Sequence, residues 1–367
     1  MSLTADVPDV SWWETLGEDG RPVLLYGTGN GADKIIDACR HYGIALSGVF
    51  ASDGFVRDRE FHGMHVMSYS DAVSCFGDDM VILPAFGTSL PDVMERIAKL
   101  CQRHTVIVPE VPLYGGEIFD SAVLRRLSVR IDELGDSLAD AMSRELLRDA
   151  IMFRMTGELG YLQRCEPAAE SYGKLLGDFG ILTALDGGAF RGDSATDMAS
   201  ALPGISCIIA CEPDRRSYKK LSEFASDISG KCKVEALECA LGDKCGEADY
   251  VSSGSRGSGR SGRGRRASTE RIRVLTADSI AQNRRIDFIK LDVEGDEEAA
   301  LDGARRIILR DRPALAVSLY HRTDDIVRLP EAVRALLPEC KLFLRRPPCI
   351  PMWDLTLYAI PDRAQFI

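Results

Sequence analysis

The sequence predicts an α/β protein with two Rossmann-like, doubly wound domains joined by a helical linker. Two regions, one near the start of the chain and one in its second half, alternate short apolar runs with helix-like segments. Such alternation is typical of βαβ units, whose helices cover a parallel sheet. Between them, residues 132–162 have few strand signals and no proline. We therefore expect a nucleotide-binding-like domain over 1–120, a linker over 121–180 and a second domain over 181–367.

Length and composition agree with this division and exclude several classes of protein. The chain has 367 residues, of which 45% are hydrophobic and 28% charged, an ordinary composition for folded domains. No apolar run approaches the ~20 residues that span a bilayer. The acidic start of the chain does not resemble a secretory signal, so we expect a cytoplasmic protein. The net charge of −11 disfavours a protein that binds nucleic acid over its whole surface.

The 11 cysteines include no CxxC pair. We expect reduced thiols that pack as small apolar side chains. Cys232, Cys239 and Cys245 lie close in sequence, but no histidine is near them, so a metal site there is not expected. The sequence does not indicate an oligomeric state.

The first region contains a glycine-rich turn. The predicted strand Val23–Tyr26 runs into Gly27, Gly29 and Gly31, and Asp53 follows the second strand. This pattern loosely fits a dinucleotide fingerprint, in which glycines admit a phosphate and the acid binds a ribose. Alternatively, the turn serves only strand–helix packing. The other elements predicted here are a helix over Asp33–His41 and strands over Ala45–Phe50, Met80–Pro84 and Thr105–Val108.

The linker has a helical apolar pattern. Leu134, Leu138, Met142 and Leu146 recur every four residues, which predicts one buried helix face. Ser137 is expected to cap the helix, with Asp140 three residues later.

In the second region, an apolar strand ends at Asp186 and runs into a glycine-rich turn, and a second strand ends at Glu212. Glycines allow a ligand close to the backbone, and N–H groups at a helix start bind carboxylate or phosphate. A carboxylate at the second strand end can accept both hydroxyls of a ribose. This order favours a nucleoside ligand, either S-adenosylmethionine or NAD. The candidate binding residues are Asp186, Gly187, Gly188, Ala189, Phe190, Gly192, Glu212 and Pro213.

Two acids end a later strand. Asp292 and Glu294 should line the ligand crevice, because that crevice lies at the carboxyl ends of the strands. They could orient a substrate, act as a base, or hold a divalent cation through oxygen ligands; the alternative is helix capping. His321 follows the next strand, and an ordinary histidine pKa of ~6.5 suits deprotonation of a hydroxyl; its alternative is packing under a loop. The catalytic candidates are Asp292, Glu294 and His321.

These motifs together resemble the FkbM-type S-adenosylmethionine-dependent methyltransferases over residues 182–360. The resemblance implies a seven-stranded class I methyltransferase sheet that ends in an antiparallel pair. It also implies S-adenosylmethionine as cofactor, with Asp186 and the Gly187–Gly192 turn at its methionine end and Glu212 on its ribose. Cys239 and Ala240 would lie beside the adenine and Asp292 near the sulfonium. The segments that carry the resemblance are Asp186–Gly192, Cys211–Pro213, Ala240–Asp243, Ala277–Ile280, Asp287–Glu297, Tyr320–His321 and Leu357–Ala359 with Trp353.

The chain departs from this family at two places. Phe190 stands where the family often has asparagine, and Arg345–Pro348 stands where it tends to have a His-Tyr pair. Acceptor contacts are therefore not carried over. The predicted strands of this half are Leu182–Asp186, Cys207–Glu212, Lys233–Cys239, Asp287–Asp292, Ala314–Leu319, Lys341–Arg345 and Leu355–Ile360.

The resemblance implies O-methylation of a sugar or glycan-precursor hydroxyl, with a small molecule or glycan as the partner. One alternative is an NAD- or nucleotide-sugar-binding enzyme that uses the first domain. Another is a non-enzymatic protein whose insert 252–268, with 6 Ser, 5 Gly and 5 Arg, contacts RNA. The insert carries +5, so the rest of the chain carries −16, which makes nucleic acid an unfavoured partner. Alternatively, the insert is a flexible loop without a binding role.

Overall fold

The computed structural model describes residues 2–56, 59–228, 230, 232–252 and 268–362. Two parallel-dominated sheets, of six and seven strands, form the frame of this described part. Helices connect most of the parallel strands. The α/β class with two doubly wound sheets is therefore confirmed.

The first sheet has the order β3-β4-β2-β1-β5-β6, and β1 lies parallel between β2 and β5. The antiparallel pair β3–β4 was not predicted as strands. Helix α2 begins at Asn30, three residues before the predicted start. The strands are β1 (Val23–Tyr26), β2 (Leu46–Ala51), β3 (Glu60–Phe61), β4 (Met64–Ser68), β5 (Val81–Pro84) and β6 (Thr105–Val106). The helices are α1 (Trp12–Thr15), α2 (Asn30–His41), α3 (Tyr69–Phe76) and α4 (Pro91–Leu100).

The linker contains α5 (Ser121–Ser137), α6 (Ala141–Thr156) and α7 (Ala168–Leu176). The expectation of one helix capped by Ser137 is wrong. Ser137 is the last residue of α5, and Leu138 is extended, with ψ at 138°. Asp140 caps α6 instead, because its side chain accepts the N–H of Ser143. A four-residue apolar period thus continues across a helix break, since both helices face the same core.

The second sheet has the order β15-β16-β14-β13-β7-β8-β9. Strand β16 runs antiparallel to both β14 and β15, so the predicted antiparallel ending is confirmed. The strands are β7 (Thr183–Gly187), β8 (Cys207–Cys211), β9 (Lys233–Leu237), β13 (Phe288–Leu291), β14 (Ala314–Ser318), β15 (Cys340–Arg345) and β16 (Thr356–Pro361). The helices are α8 (Asp193–Ala201), α9 (Arg215–Asp227), α10 (Ala277–Ala281), α11 (Glu297–Gly303), α12 (Arg305–Asp311) and α13 (Asp325–Leu336).

A small third sheet has the order β10-β12-β11, with β10 (Ala240–Leu241), β11 (Gly246–Ser252) and β12 (Ser268–Leu275). Strands β11 and β12 pair antiparallel, from Gly246 with Val274 to Ser252 with Ser268. Residues 253–267 of the predicted insert connect these two strands and lie outside the described residues.

One hydrophobic core runs through both halves of the chain. It contains Leu24 of β1, Leu127 of α5, Leu147 of α6 and Leu291 of β13. Burial at 25 cal/mol per Å² of apolar surface is the dominant stabilising term in such a core. The linker helices therefore join the two sheets by packing rather than as a flexible tether. None of the 11 cysteines, all of which lie in the described part of the chain, is in a disulfide, and no helix of that part is long and apolar enough to cross a bilayer.

Candidate active site

A cavity of about 690 Å³ opens at the carboxyl ends of the central strands of the second sheet. Its wall carries residues that directly follow five of these strands. They are Gly188 after β7, Glu212 after β8, Cys239 beyond β9, Asp292 after β13 and Tyr320 beyond β14. The further predicted binding residues on this wall are Ala189, Phe190, Pro213 and Ala240. The cavity thus gathers motifs that lie more than 100 residues apart in the sequence.

The turn after β7 packs directly against the end of β13. Gly188 has φ +74°, and a Cβ there would lie 1.9 Å from the carbonyl oxygen of Asp292. The N–H groups of Gly188 and Ala189 both donate to the carbonyl of Cys211. Only glycine fits this position, because both its backbone angle and its surroundings exclude a side chain.

Glu212 is nearly buried in the cavity wall. Its Oε1 accepts the N–H of Asp214 and its Oε2 accepts the N–H of Phe190, each at 2.8 Å. Burial raises the pKa of Glu212 to about 7 although these hydrogen bonds oppose the shift. Each carboxylate oxygen has a second lone pair, so the side chain can still accept hydrogen bonds from a ligand.

Asp186 lies beneath the glycine-rich turn and is not part of the cavity wall. It is fully buried, with Oδ2 accepting the hydroxyl of Ser194 and Oδ1 lying 3.1 Å from Lys290 Nζ. Gly187 and Gly192 also lie behind the wall. These positions differ from the predicted contact of Asp186 and this turn with the methionine end of the cofactor, because the buried Lys290 already pairs with the Asp186 carboxylate.

Lys290 was missing from the predicted site. Its ammonium lies 3.1 Å from both the Asp186 carboxylate and the carbonyl of Gly188, and 3.9 Å from Asp292 Oδ2. Burial alone would lower the pKa of Lys290, but the charges of Asp186 and Asp292 raise it above its usual value. A strand places alternate residues on one face. The two-residue spacing of Lys290 and Asp292 could therefore have indicated that Lys290 belongs to the same site.

Asp292 directly follows β13 and lines the cavity wall. Its Oδ1 accepts the hydroxyl of Tyr320 at 2.8 Å. Burial would raise the pKa of Asp292, but Lys290, His321 and the Tyr320 hydroxyl lower it below its usual value. Asp292 is therefore ionised at neutral pH. Glu294 follows on the same wall with φ +59°, a conformation that is uncommon for a side-chain-bearing residue.

His321 lies behind these two acids and does not line the cavity. Its side chain is fully buried, with Nδ1 2.9 Å from Glu297 Oε1 and Nε2 3.3 Å from Glu294 Oε2. Burial would lower the pKa of His321, but Glu297, Glu294 and Asp292 raise it well above the usual value. An imidazolium cannot accept a proton. The geometry therefore disfavours the predicted role of His321 as a base in contact with substrate.

The same cluster was tested as a divalent-cation site. Asp292, Glu297 and His321 each offer one atom within 4.8 Å of the others. However, Glu297 Oε1 already accepts the N–H groups of Val293 and Gly295. Asp292 Oδ1 accepts a hydroxyl, and His321 is held as a cation. Apart from Glu297 Oε2, these ligand atoms are already paired within the protein, so the cluster fits an ion-pair network better than a resident metal.

The candidate nucleotide site of the first half has a different environment. A Cβ at Gly27, where φ is +99°, would lie 2.7 Å from the ring of Phe86, so an aromatic side chain covers this turn. Asp53 accepts the N–H and the hydroxyl of Ser70. Gly29 and Gly31 lie against the carbonyl of Ala85. These contacts agree better with strand–helix packing than with a phosphate and ribose site.

The first half instead contributes to the cavity of the second. Ser89, Pro91 and Met94 line its wall. Thr88 and Ile350 exchange two backbone hydrogen bonds, of 2.8 and 2.9 Å, across the two halves. The N–H groups of Leu113 and Tyr114 donate to the carbonyl of His321. No local pattern in the sequence marks these residues, because their proximity depends on how the two halves pack.

A seven-stranded sheet with this order and a cavity at its carboxyl edge defines the class I methyltransferase fold. Residues 186–342 match the family described as methyltransferase FkbM domain. This match covers less than half of the chain, and it shows that the second half is similar to an FkbM methyltransferase domain.

Three solved structures are similar to the chain, and the likeness of the first supports this fold. The crystal structure of an FkbM methyltransferase from Methylobacillus flagellatus KT has 20% identity and a TM-score of 0.67, over 97% of this chain and 96% of that one. An rRNA methylase from Streptococcus thermophilus covers 53% of this chain and 93% of its own, with 14% identity and a TM-score of 0.33. An S-adenosylhomocysteine-bound methyltransferase from Podospora anserina covers 68% and 99%, with 10% identity and a TM-score of 0.32. No curated protein sequence matches the chain.

Proposed function

We propose that this protein is an S-adenosylmethionine-dependent methyltransferase that methylates a hydroxyl of a sugar or glycan precursor. The observation that carries the proposal is the cavity itself. The glycine-rich turn at Gly188 and the buried acid Glu212, which suits a ribose, line this cavity together with the carboxylates of Asp292 and Glu294. A nucleoside cofactor and an acceptor hydroxyl can therefore meet inside one cavity.

The cofactor side is assigned to the β7–β8–β9 end of the cavity. Glu212 accepts hydrogen bonds from the ribose hydroxyls of the cofactor. The turn Gly188–Phe190 holds the methionine end of the cofactor. Cys239 and Ala240 lie beside the adenine. The Asp186–Lys290 pair supports this turn from beneath. The Asp186 side chain does not contact the ligand. S-adenosylmethionine supplies, when bound, a methyl group activated by its sulfonium.

The acceptor side is assigned to the carboxylates that follow β13. The acceptor oxygen attacks the methyl carbon, the electron pair of the carbon–sulfur bond goes to sulfur, and the hydroxyl proton goes to Asp292 or Glu294. Most of the rate enhancement comes from holding the two groups close and aligned. His321 and Glu297 position this loop from behind. The two carboxylates support the proposal that the acceptor group is a hydroxyl. The family resemblance supports the proposal that the acceptor molecule is a sugar.

The test begins with calorimetric titration of S-adenosylhomocysteine into the full chain. We expect binding by the wild type and its loss in Glu212→Ala. Methyl transfer to a panel of sugars is then followed by release of S-adenosylhomocysteine. Asp292→Asn and Glu294→Gln should keep cofactor binding and lower the rate about 100-fold or more. Glu298→Gln, an exposed neighbour paired with Arg328, is the control.

Absence of S-adenosylhomocysteine binding by a folded wild type would overturn the cofactor assignment. Rates of Asp292→Asn and Glu294→Gln that equal the control would overturn the assignment of the proton acceptor.

A further inference from the structure

Two consecutive arginines lie at the far end of the cavity from the proposed cofactor. Arg345 is the last residue of β15, Arg346 follows it, and both line the cavity wall. Strand β15 is three positions from β13 in the sheet order. Because neighbouring strands lie about 4.8 Å apart, this end is about 14 Å from the strand that carries Asp292. The cofactor turn after β7 lies on the opposite side of β13.

Arg345 is neutralised by the protein. Its Nη2 lies 2.6 Å from Asp140 Oδ2, and its Nε lies 3.1 Å from Glu166 Oε1. Its Nη1 also donates to the hydroxyl of Ser143. With two carboxylates at ion-pair distance, Arg345 needs no further anion.

Arg346 has a different environment, because no ion pair to its guanidinium is found among the described residues, and the charges of Asp354 and Glu110 act on it only from a greater distance. The side chain is 1% exposed. Nη1 donates to the carbonyl of Leu162 at 2.7 Å, and Nη2 donates to the carbonyl of Cys349. Among the described residues, no carboxylate lies within 4 Å of the guanidinium, and Nε has no hydrogen-bond partner. Asp354 shares the cavity wall, and its charge opposes the lowering of the Arg346 pKa.

A buried guanidinium without a counterion is unfavourable, since it cannot deprotonate near neutral pH. Burial lowers the pKa of Arg346, which shows that its surroundings do not compensate the charge fully. A planar guanidinium is well suited to bind carboxylate or phosphate. The neighbouring wall is apolar, with Pro347 and Pro348 on one side and Pro91 and Met94 of the first half on the other.

We propose that Arg346 binds an anionic group, a carboxylate or a phosphate, on the acceptor. The acceptor then extends from the carboxylates after β13 to the end of β15, with its anion about 14 Å from the strand that carries the reacting centre. This inference rests on the proposed function for the position of the reacting hydroxyl. The carboxylate of the cofactor cannot be the anion, because a short aliphatic chain ties it to the sulfonium on the β7 side.

The test uses the full chain and three probes: glucuronate, glucose phosphate and methyl glucoside. Their binding is measured by ligand-observed NMR with and without saturating S-adenosylhomocysteine. We expect one or both anionic probes to bind about tenfold more tightly than methyl glucoside. In Arg346→Gln this difference should disappear, while S-adenosylhomocysteine still binds as in the wild type. The anionic probe that binds more tightly identifies the anion as carboxylate or phosphate.

The control is Arg154→Gln. Arg154 is also nearly buried and donates to Glu110 and to the carbonyl of Thr323, but it is not part of the cavity wall. This variant should keep the preference for anionic probes. If Arg346→Gln does not fold, Arg346→Lys serves instead, since it keeps the charge and loses the planar donor pair; a several-fold weaker binding of the anionic probes is then expected.

Equal binding of anionic and neutral probes by the wild type would overturn the proposal. So would an Arg346→Gln protein that folds and keeps the preference. Either result is separable from failure of the proposed function, which shows as absence of S-adenosylhomocysteine binding in the first titration.

Discussion

Glu297 Oε1 lies 2.9 Å from His321 Nδ1, and both side chains are excluded from solvent. The same carboxylate oxygen accepts the N–H groups of Val293 and Gly295, which flank Glu294. One buried acid therefore fixes both the histidine and the loop that carries the proposed proton acceptor.

The first prediction concerns the protonation of His321. Glu297→Gln removes the largest favourable charge acting on the ring, so the pKa of His321 should fall. The measurement is an NMR titration of the histidine side chains, with the His321→Gln spectrum as the assignment control. An unchanged His321 pKa in Glu297→Gln would contradict the pairing.

The second prediction concerns stability against pH. The folded-state pKa of His321 is raised, so its contribution is fully present below its unfolded pKa of ~6.5 and is lost as pH rises through the folded value. The free energy of unfolding of the wild type should exceed that of His321→Gln most at about pH 6, and the difference should shrink in alkali. Chemical denaturation from pH 6 to 10 measures it. A constant difference would mean that His321 is not charged in the folded protein.

The third prediction concerns Glu212, whose pKa of about 7 lies within the working range. Ribose hydroxyls donate to the ionised carboxylate, so S-adenosylhomocysteine should bind more weakly as pH falls below 7, by up to about tenfold per unit. Glu212→Gln should bind weakly and without this pH dependence. Calorimetry from pH 5.5 to 8.5 checks both proteins. A wild type whose affinity does not change with pH would argue against Glu212 as the ribose acid.

The fourth prediction compares two glycines with the same backbone angle. Gly188 and Gly180 both have φ +74°, but a Cβ at Gly180 meets nothing within 4 Å. Gly180→Ala should lower the free energy of unfolding by about 1 kcal/mol through backbone strain alone. Gly188→Ala should cost more and abolish S-adenosylhomocysteine binding, because its Cβ clashes with the carbonyl of Asp292. Equal effects of the two variants would show that the turn after β7 and β13 are not tightly packed.

The fifth prediction concerns the contact between the two halves. A Cβ at Gly87 would lie 1.9 Å from the ring of Trp353, so Gly87→Ala should separate the segments joined by the Thr88–Ile350 bridge. We expect faster proteolysis near residue 350 and a lower melting temperature. Gly160→Ala, with nothing within 4 Å of its Cβ, is the control. Proteolysis of Gly87→Ala at the wild-type rate would contradict this docking.

Much of the fold could be predicted because hydrophobic patterning is local. Each of the seven strands of the second sheet lies within a residue or two of its predicted range, since apolar runs between glycine turns are short and distinct. The break between α5 and α6 could not be read from the apolar period, because both helices bury the same face. It depends on the Asp140 cap, which competes with the Ser137 signal only three residues away.

The site could be predicted only where sequence motifs coincide with strand ends. Gly188, Glu212, Asp292 and Glu294 line the cavity as placed. Asp186 and His321 lie one layer behind it. The sequence could not show this, because the pairing of Asp186 with Lys290 and of His321 with Glu297 arises only on folding. The pKa of His321 depends on three acids brought together by folding, so an unperturbed value was a poor guide.

Ser89, Pro91 and Met94 form the part of the cavity wall that comes from the first half of the chain. Their position has a consequence for how substrate choice in such a two-part enzyme can change. Part of the cavity that we propose holds the acceptor is encoded upstream of the methyltransferase half, in a region whose own glycine turn is covered by Phe86. Recombination that exchanged this module would alter substrate choice while leaving the methyl-transfer apparatus intact. Conversely, a methyltransferase half expressed alone would keep its chemistry-bearing residues and lose one side of its pocket to water.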